Sequence, residues 1–145
     1  MESYDLVVIG SGAGLNVLNY GLQMGLNCAL IEDTKLGATC LTRGCIPSKV
    51  LVHPADLIRE AEHASKVGVK FEISDINWEL ISKRMWSQID ESKEIEDGLS
   101  EVSNLKLYKG LGEFIGDYEM KVTSIETGKE IGHFKADRFQ PSELK

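Results

Sequence analysis

A basic surface is what this sequence most plainly lacks. Its 16 lysines and arginines are outnumbered by 23 aspartates and glutamates, leaving a formal net charge of −7, and the cations are scattered along the chain. A phosphate backbone or an anionic membrane surface calls for the opposite field, so nucleic acid binding and membrane adhesion are set aside. Long apolar runs are missing too. The start, Met1-Glu2-Ser3-Tyr4-Asp5, is acidic and leads into a short apolar stretch. It has neither the basic region nor the apolar core of a secretion signal, and no later run approaches a membrane span. A cytoplasmic protein is expected. Cysteine is scarce, at three residues. Cytosolic thiols stay reduced unless a bridge is transient or catalytic, which excludes a structural disulfide scaffold and leaves the question of which pair reacts. What remains, 42% hydrophobic and 27% charged over 145 residues, is the composition of a globular chain with one core.

Tyr4-Asp5-Leu6-Val7-Val8-Ile9 is a short β-branched apolar run closed by glycine, the pattern of a strand buried on both faces of a parallel sheet. From residue 13 to about 24, Leu15, Leu18 and Leu22 recur at helical spacing, and Gly25 stands where a helix ends. Residues 28–31 supply a second buried strand ending at Glu32, completing a βαβ unit. Residues 39 to about 66 read as a long helix disturbed early by Gly44 and Pro47, with Gly68 at its end. A second helix begins near residues 75–77. Its Trp78, Ile81, Met85, Ile89, Ile95 and Leu99 form one core-facing stripe. Short strands follow at 105–108, 113–115, 119–125 and 130–135, with a Thr127-Gly128 turn, which reads as an antiparallel meander. No repeat or linker interrupts the chain, so one unit over residues 1–145 is expected.

Gly10-Ser11-Gly12-Ala13-Gly14-Leu15 lies between a strand and a helix, where backbone amides and the positive helix end can hold a pyrophosphate. The usual G-x-G-x-x-G places its third glycine where this chain has Leu15, with Gly14 one residue early. Leu15 would then crowd the close helix–strand contact, and a local adjustment is expected. Glu32, with Asp33 beside it, ends the second strand where an acidic side chain accepts hydrogen bonds from ribose hydroxyls and repels a 2′-phosphate. Neither feature separates FAD from NAD.

Gly37-Ala38-Thr39-Cys40-Leu41-Thr42-Arg43-Gly44-Cys45-Ile46-Pro47-Ser48-Lys49 carries more information. It resembles the G-G-T-C-x-N-x-G-C-x-P-x-K signature of the class I pyridine nucleotide-disulfide oxidoreductases, the family of dihydrolipoamide dehydrogenase and of glutathione, mycothione and mercuric reductases. Gly110-Leu111-Gly112-Glu113-Phe114 is similar to that family's later G-x-G-x-F strand. The resemblance implies a Rossmann-like α/β fold: an FAD-binding βαβ unit with two long helices and a small antiparallel meander. It implies FAD held by Gly10, Ser11, Gly12, Ala13, Gly14, Glu32, Asp33, Gly37, Ala38 and Thr39, with Gly112 at the adenine edge. It further implies a redox disulfide in which Cys40 exchanges with the dithiol substrate and Cys45 faces the flavin, with Lys49 beside the flavin N5.

Elementary geometry agrees with a reactive bridge. Residues five apart in an ideal helix are separated by about 7.5 Å of rise, beyond the roughly 4.4–6.8 Å a disulfide spans between α-carbons, so the helix must be distorted there. Thr39 is read as an N-cap that places Cys40 in a first turn favouring thiolate. The competing readings are two free buried cysteines, or a zinc site completed by His53, which lacks further ligands. Cys28, inside an apolar strand, is read as inert core. His63 and His133 receive no role.

The pattern departs from the family at Ala38 and Thr42, which should leave the fold intact, and at the end, where 140–145 replaces an apolar strand with an A-T-G-like turn. Family members also carry an NAD domain, a returning FAD segment and an interface domain with the His-Glu acid–base pair. The expectation is therefore an incomplete FAD-binding domain, most like the front of dihydrolipoamide dehydrogenase. The complete homodimeric enzyme would pass electrons from a dithiol such as dihydrolipoamide through Cys40–Cys45 and FAD to NAD. Ile46-Pro47-Ser48-Lys49 leans towards that branch, and the Gly10 loop towards mycothione reductase. A truncated module that binds FAD weakly or merely carries thiols is the alternative.

Overall fold

Val7 and Val8 point in opposite directions and both are fully buried, which is possible only in a strand covered on both faces. That strand is β2 (Leu6–Ile9), in a computed structural model that describes residues 1–142. It lies between β3 (Cys28–Glu32) and β8 (Phe139–Pro141), with β4 (Leu105–Lys109) beyond β3, in a wholly parallel sheet of order β4-β3-β2-β8. Helix α1 (Gly14–Gln23) connects β2 to β3 and ends against Gly25, whose φ of +78° suits glycine. A second sheet of order β1-β7-β6-β5 contains β1 (Glu2–Tyr4), β5 (Leu111–Gly116), β6 (Glu119–Thr123) and β7 (Glu130–Ala136). Strands β5 to β7 are antiparallel, and β1 joins β7 in parallel.

The chain divides into two compact units, one of residues 1–38 with the chain from 92 onward, the other of residues 39–91. The first has a core on each face of the parallel sheet. Val7, Ala29, Ile31 and Tyr108 meet Met120, Val122 and Phe134 of the second sheet. Leu6, Val8, Cys28 and Leu30 meet Leu18 and Leu36, flanked by Leu15, Leu22, Ile95 and Leu99. The expected α/β architecture and doubly buried first strand are thus found, and Cys28 is core as expected, with burial pushing its thiol pKa up.

Two assignments change. The run 4–9 is not one strand: Asp5 exchanges hydrogen bonds with Asn27, its N–H donating to the Asn27 carbonyl at 2.9 Å and its carboxylate accepting from Asn27 N at 2.7 Å. The chain is thereby divided, and Tyr4 is left to the second sheet, where it packs edge-on against Phe134. Residues 105–109 leave the meander and pair with β3, because Leu107 fills the helix-side core while Tyr108 fills the other.

The second unit is helical. Helix α2 (Ala38–Thr42) and α3 (Cys45–Ala64) are separate helices, broken at Arg43-Gly44, so the expected early disturbance is a full break. Pro47 is buried in the first turn of α3, where its missing N–H costs nothing; Pro54 sits further along. A short 3-10 turn and Gly68, with φ +85°, end the segment. Helix α4 (Trp78–Ser100) starts with the Asn77 side chain accepting from Leu80 N at 2.9 Å. Its stripe from Ile81 to Leu99 is buried or half-buried, but Trp78 is 64% exposed and leaves the stripe.

Candidate functional site

In parallel α/β sheets the ligand crevice opens at the carboxyl ends of the strands. Here that end is built from the Gly10 loop after β2, Glu32 at the end of β3, and Ser142 just after β8. Gly10 turns with φ +89° and its N–H donates to the Ile31 carbonyl at 2.8 Å. Gly14 packs the helix onto the sheet: a Cβ there would stand 2.8 Å from Val8 Cγ1 and 2.9 Å from Ser142 Cβ. Gly14 therefore does the work of the third glycine, and Leu15 does not crowd the strand. It is rotated into the helix-side core. Gly21, two turns on, makes a second close approach, where a Cβ would meet Leu6 Cδ2 at 2.9 Å.

Loop amides divide into used and available. Ser11 N is taken by Glu32, Gly14 N donates to Ser142 Oγ at 3.0 Å, and Leu15 N and Asn16 N bond within the turn. Among the described residues no hydrogen bond is seen from the amides of Gly12 and Ala13, which stand at the positive end of α1. This fits the pyrophosphate of a dinucleotide.

Glu32 is 5% exposed. Its Oε2 accepts from Ser11 N at 2.9 Å and Ser11 Oγ at 2.5 Å; its Oε1 accepts from Thr34 N and Thr34 Oγ1, both at 2.9 Å. Burial pushes its carboxyl pKa up, but the bonds from Ser11 and Thr34 together hold it below the ordinary value. Ser11 Oγ also accepts from Gly37 N at 2.9 Å and Ala38 N at 3.2 Å. The serine thus fastens the segment that leads into α2, and Ala38 carries a left-handed φ of +54° where the family pattern has glycine. Gly112 is accounted for by packing, since a Cβ would press on Met120 Sδ at 2.9 Å and on Ile31.

In the second unit the helix break brings Cys40 and Cys45 together. Both thiols are free and exposed, and Cys40 hydrogen-bonds the side chain and the backbone of Cys45. Gly44 makes this closure possible: a Cβ there would lie 2.9 Å from the Thr39 carbonyl oxygen. Two expectations are corrected. Thr39 is the second residue of the five-residue α2 and no N-cap. The Cys40 thiol is not acid-poised; its hydrogen bond to Cys45 pushes it up, partly offset by the Cys45 backbone and the Lys49 charge. The positive helix end that matters belongs to the 20-residue α3, whose first residue is Cys45. Lys49 and His53 follow at i+4 and i+8, and line a cleft of about 240 Å³ with Val50, Pro54, Ile81 and Arg84. Among the described residues no group of three or more His, Cys, Asp or Glu side chains is placed to hold a metal ion, and no helix is long and apolar enough to cross a membrane.

Sequence reasoning missed Thr34, Ser142 and Lys109 as parts of the site. A threonine two residues beyond the strand-end glutamate was a local signal for Thr34; the other two are joined only by the fold.

Comparison with known proteins agrees with this geometry. The model of the pyridine nucleotide-disulphide oxidoreductase family matches residues 4–135. Dihydrolipoyl dehydrogenase of Chlamydia trachomatis is 36% identical over 122 residues, covering 83% of this chain and 26% of that protein. The enzyme of the same name from Bacillus subtilis is 35% identical over 114 residues, covering 78% and 24%. Mycothione reductase of Mycobacterium tuberculosis is 33% identical over 90 residues, covering 62% and 19%. The HOCl-induced flavoprotein disulfide reductase of Escherichia coli, solved as a Cu(II) complex, superposes with a TM-score of 0.75 over 97% of this chain and 28% of its own. At 24% identity it speaks for the fold alone. The chain spans about a quarter of the length of these dihydrolipoyl dehydrogenases. On sequence and fold together, this chain belongs to the pyridine nucleotide-disulphide oxidoreductase family.

Proposed function

We propose that the chain is the FAD-binding, redox-dithiol portion of a dihydrolipoamide dehydrogenase-like flavoenzyme. The observation that carries this reading is the Cys40–Cys45 thiol pair closed across the α2–α3 break. FAD would be held by the Gly12 and Ala13 amides, by Glu32, and by Cys45 and Lys49; Gly10 and Gly14 shape the loop, while Ser11, Gly37, Ala38 and Thr39 support the segment between. Asp33 and Gly112 complete the proposed set. When bound, FAD supplies a two-electron acceptor that relays to NAD in the complete enzyme.

The chain's own chemistry is thiol–disulfide exchange. With the pair oxidised, a substrate thiolate attacks the Cys40 sulfur, the Cys40–Cys45 bond breaks, and Cys45 leaves with the electron pair. The substrate's second thiol then attacks its own sulfur in the mixed disulfide, forming the substrate disulfide and releasing Cys40. Cys40, whose pKa is raised by its hydrogen bond to Cys45, keeps a proton, and Cys45 stands as the first residue of α3 with Lys49 one turn on. A dithiol such as dihydrolipoamide fits this exchange. The net charge of −7 speaks against nucleic acid or anionic membrane partners, and the family resemblance is what supports a homodimeric, cytoplasmic complete enzyme.

The test is spectroscopic. Chain reconstituted with FAD is expected to be yellow and to gain a long-wavelength charge-transfer band on dithiol reduction, a band that Cys45→Ser removes. A colourless chain that still exchanges disulfides would instead be a thiol carrier, and the flavin reading would fail.

A further inference from the structure

The carboxylate that should receive the ribose is already full. An ionised carboxylate offers about four acceptor positions. Those of Glu32 are filled by the N–H and O–H of Ser11 on Oε2 and of Thr34 on Oε1. A ribose hydroxyl can therefore reach Glu32 only by exchange with a donor already in place.

The two donor pairs are not equivalent. Ser11 is 2% exposed, and its hydroxyl also accepts from Gly37 N and Ala38 N. Displacing it would break its bonds to two part-buried amides as well. Thr34 is exposed, and among the described residues its hydroxyl donates only to Glu32. Its backbone is held without that hydroxyl. Thr34 N stays on Oε1, and the Thr34 carbonyl accepts from Lys109 Nζ at 2.8 Å, while Lys109 pairs with Glu96 at 3.0 Å. The hydroxyl can thus turn to water with the loop unmoved.

We propose that Thr34 is a specificity-determining residue of the nucleotide site. Its hydroxyl occupies the acceptor position on Glu32 Oε1 that a ribose hydroxyl takes, and it swings to solvent when the adenosine ribose binds. The inference rests on the dinucleotide reading of the Gly10 loop. In the free chain Thr34 keeps the buried carboxylate satisfied. Only a ligand that brings a donor of its own can take its place one for one, so a ribose with free hydroxyls is admitted and a group without a donor at that position gains nothing from Glu32.

The experiment is calorimetric titration of the full chain with ADP and with 2′,3′-dideoxy-ADP. Removing the competing hydroxyl in Thr34→Val should tighten ADP about fivefold, the worth of one exchanged hydrogen bond. Dideoxy-ADP should be unaffected, Thr34→Ser should behave as wild type, and Thr34→Ala should repeat the sign if the valine variant folds poorly. Ser11→Ala should weaken ADP. Equal or weaker ADP binding by Thr34→Val and Thr34→Ala overturns the role of Thr34 while leaving the nucleotide site standing. Absence of ADP binding by wild type and variants alike overturns the dinucleotide reading and the inference with it.

Discussion

Restoring the family's third glycine, by Leu15→Gly, should damage this protein. If Leu15 stood in the close helix–strand contact, glycine there would relieve strain. The structure instead gives that contact to Gly14 and places Leu15, half-buried, against the helix-side core. Truncating a buried leucine to alanine costs about 2–5 kcal/mol, so a half-buried one costs about 1–2. Glycine in place of alanine in a helix adds up to about 1 kcal/mol. The sum, about 2–3 kcal/mol, corresponds to a melting temperature lower by roughly 6–9 °C in a chain of this size. Gly14→Ala should cost about 1–3 kcal/mol by overpacking, since the added methyl has only the fully buried Val8 and Ser142 to push against. Urea unfolding followed by circular dichroism measures both, and the midpoint should fall at constant slope. A Leu15→Gly chain as stable as wild type, or a neutral Gly14→Ala, would refute the assignment.

The remaining predictions concern closure and pH. Gly44→Ala drives a methyl against a backbone carbonyl that cannot rotate away, so α2 and α3 must separate. Oxidation of the Cys40–Cys45 pair by oxidised glutathione should slow by about tenfold, the equivalent of a modest overpacking penalty. Glu32 is held below its ordinary pKa in the folded chain, and so is Glu2, through hydrogen bonds from Tyr108 and Tyr4. Groups lowered on folding stabilise above their unfolded pKa and lose that contribution as pH falls through the folded one. The melting temperature should therefore decline below about pH 4.5, and Glu32→Gln should flatten part of that limb. At the alkaline end burial raises Tyr4 to about 12. That contribution is complete below pH 10 and is lost as pH climbs through 12, so a decline above pH 10 is expected. A stability profile flat at both ends would contradict these assignments.

Local chemistry made much of the molecule legible in advance. The alternation of Val7 and Val8, the Gly10 turn, the stop at Gly25 and the Gly44–Pro47 disturbance depend on nearest neighbours and periods, and they appear where expected. Features requiring a partner far along the chain were hidden. Asn27 divides the first strand at Asp5, and Leu107 and Tyr108 draw β4 away from the meander. The 139–141 segment still pairs with β2 although its sequence departs from the family's strand, because parallel pairing needs backbone groups and a covered face more than particular side chains. The Cys40 thiol was misjudged for a local reason: the break between α2 and α3 turns it onto Cys45, and that hydrogen bond pushes its pKa up. The strand-end place of Glu32 reads as that of a ribose acceptor, but only the fold shows Ser11 and Thr34 already bonded to it.

The central claim is that Cys40 and Cys45 form one reversible redox couple inside a single chain. The direct measurement equilibrates the purified chain in dithiol–disulfide buffers of graded potential, then traps and maps the remaining thiols by mass. Cys40 and Cys45 should disappear together, in a two-electron transition within monomers, with buried Cys28 blocked until the chain unfolds. Independent titration of the two thiols, or oxidation that instead links chains through one of them, would contradict the account.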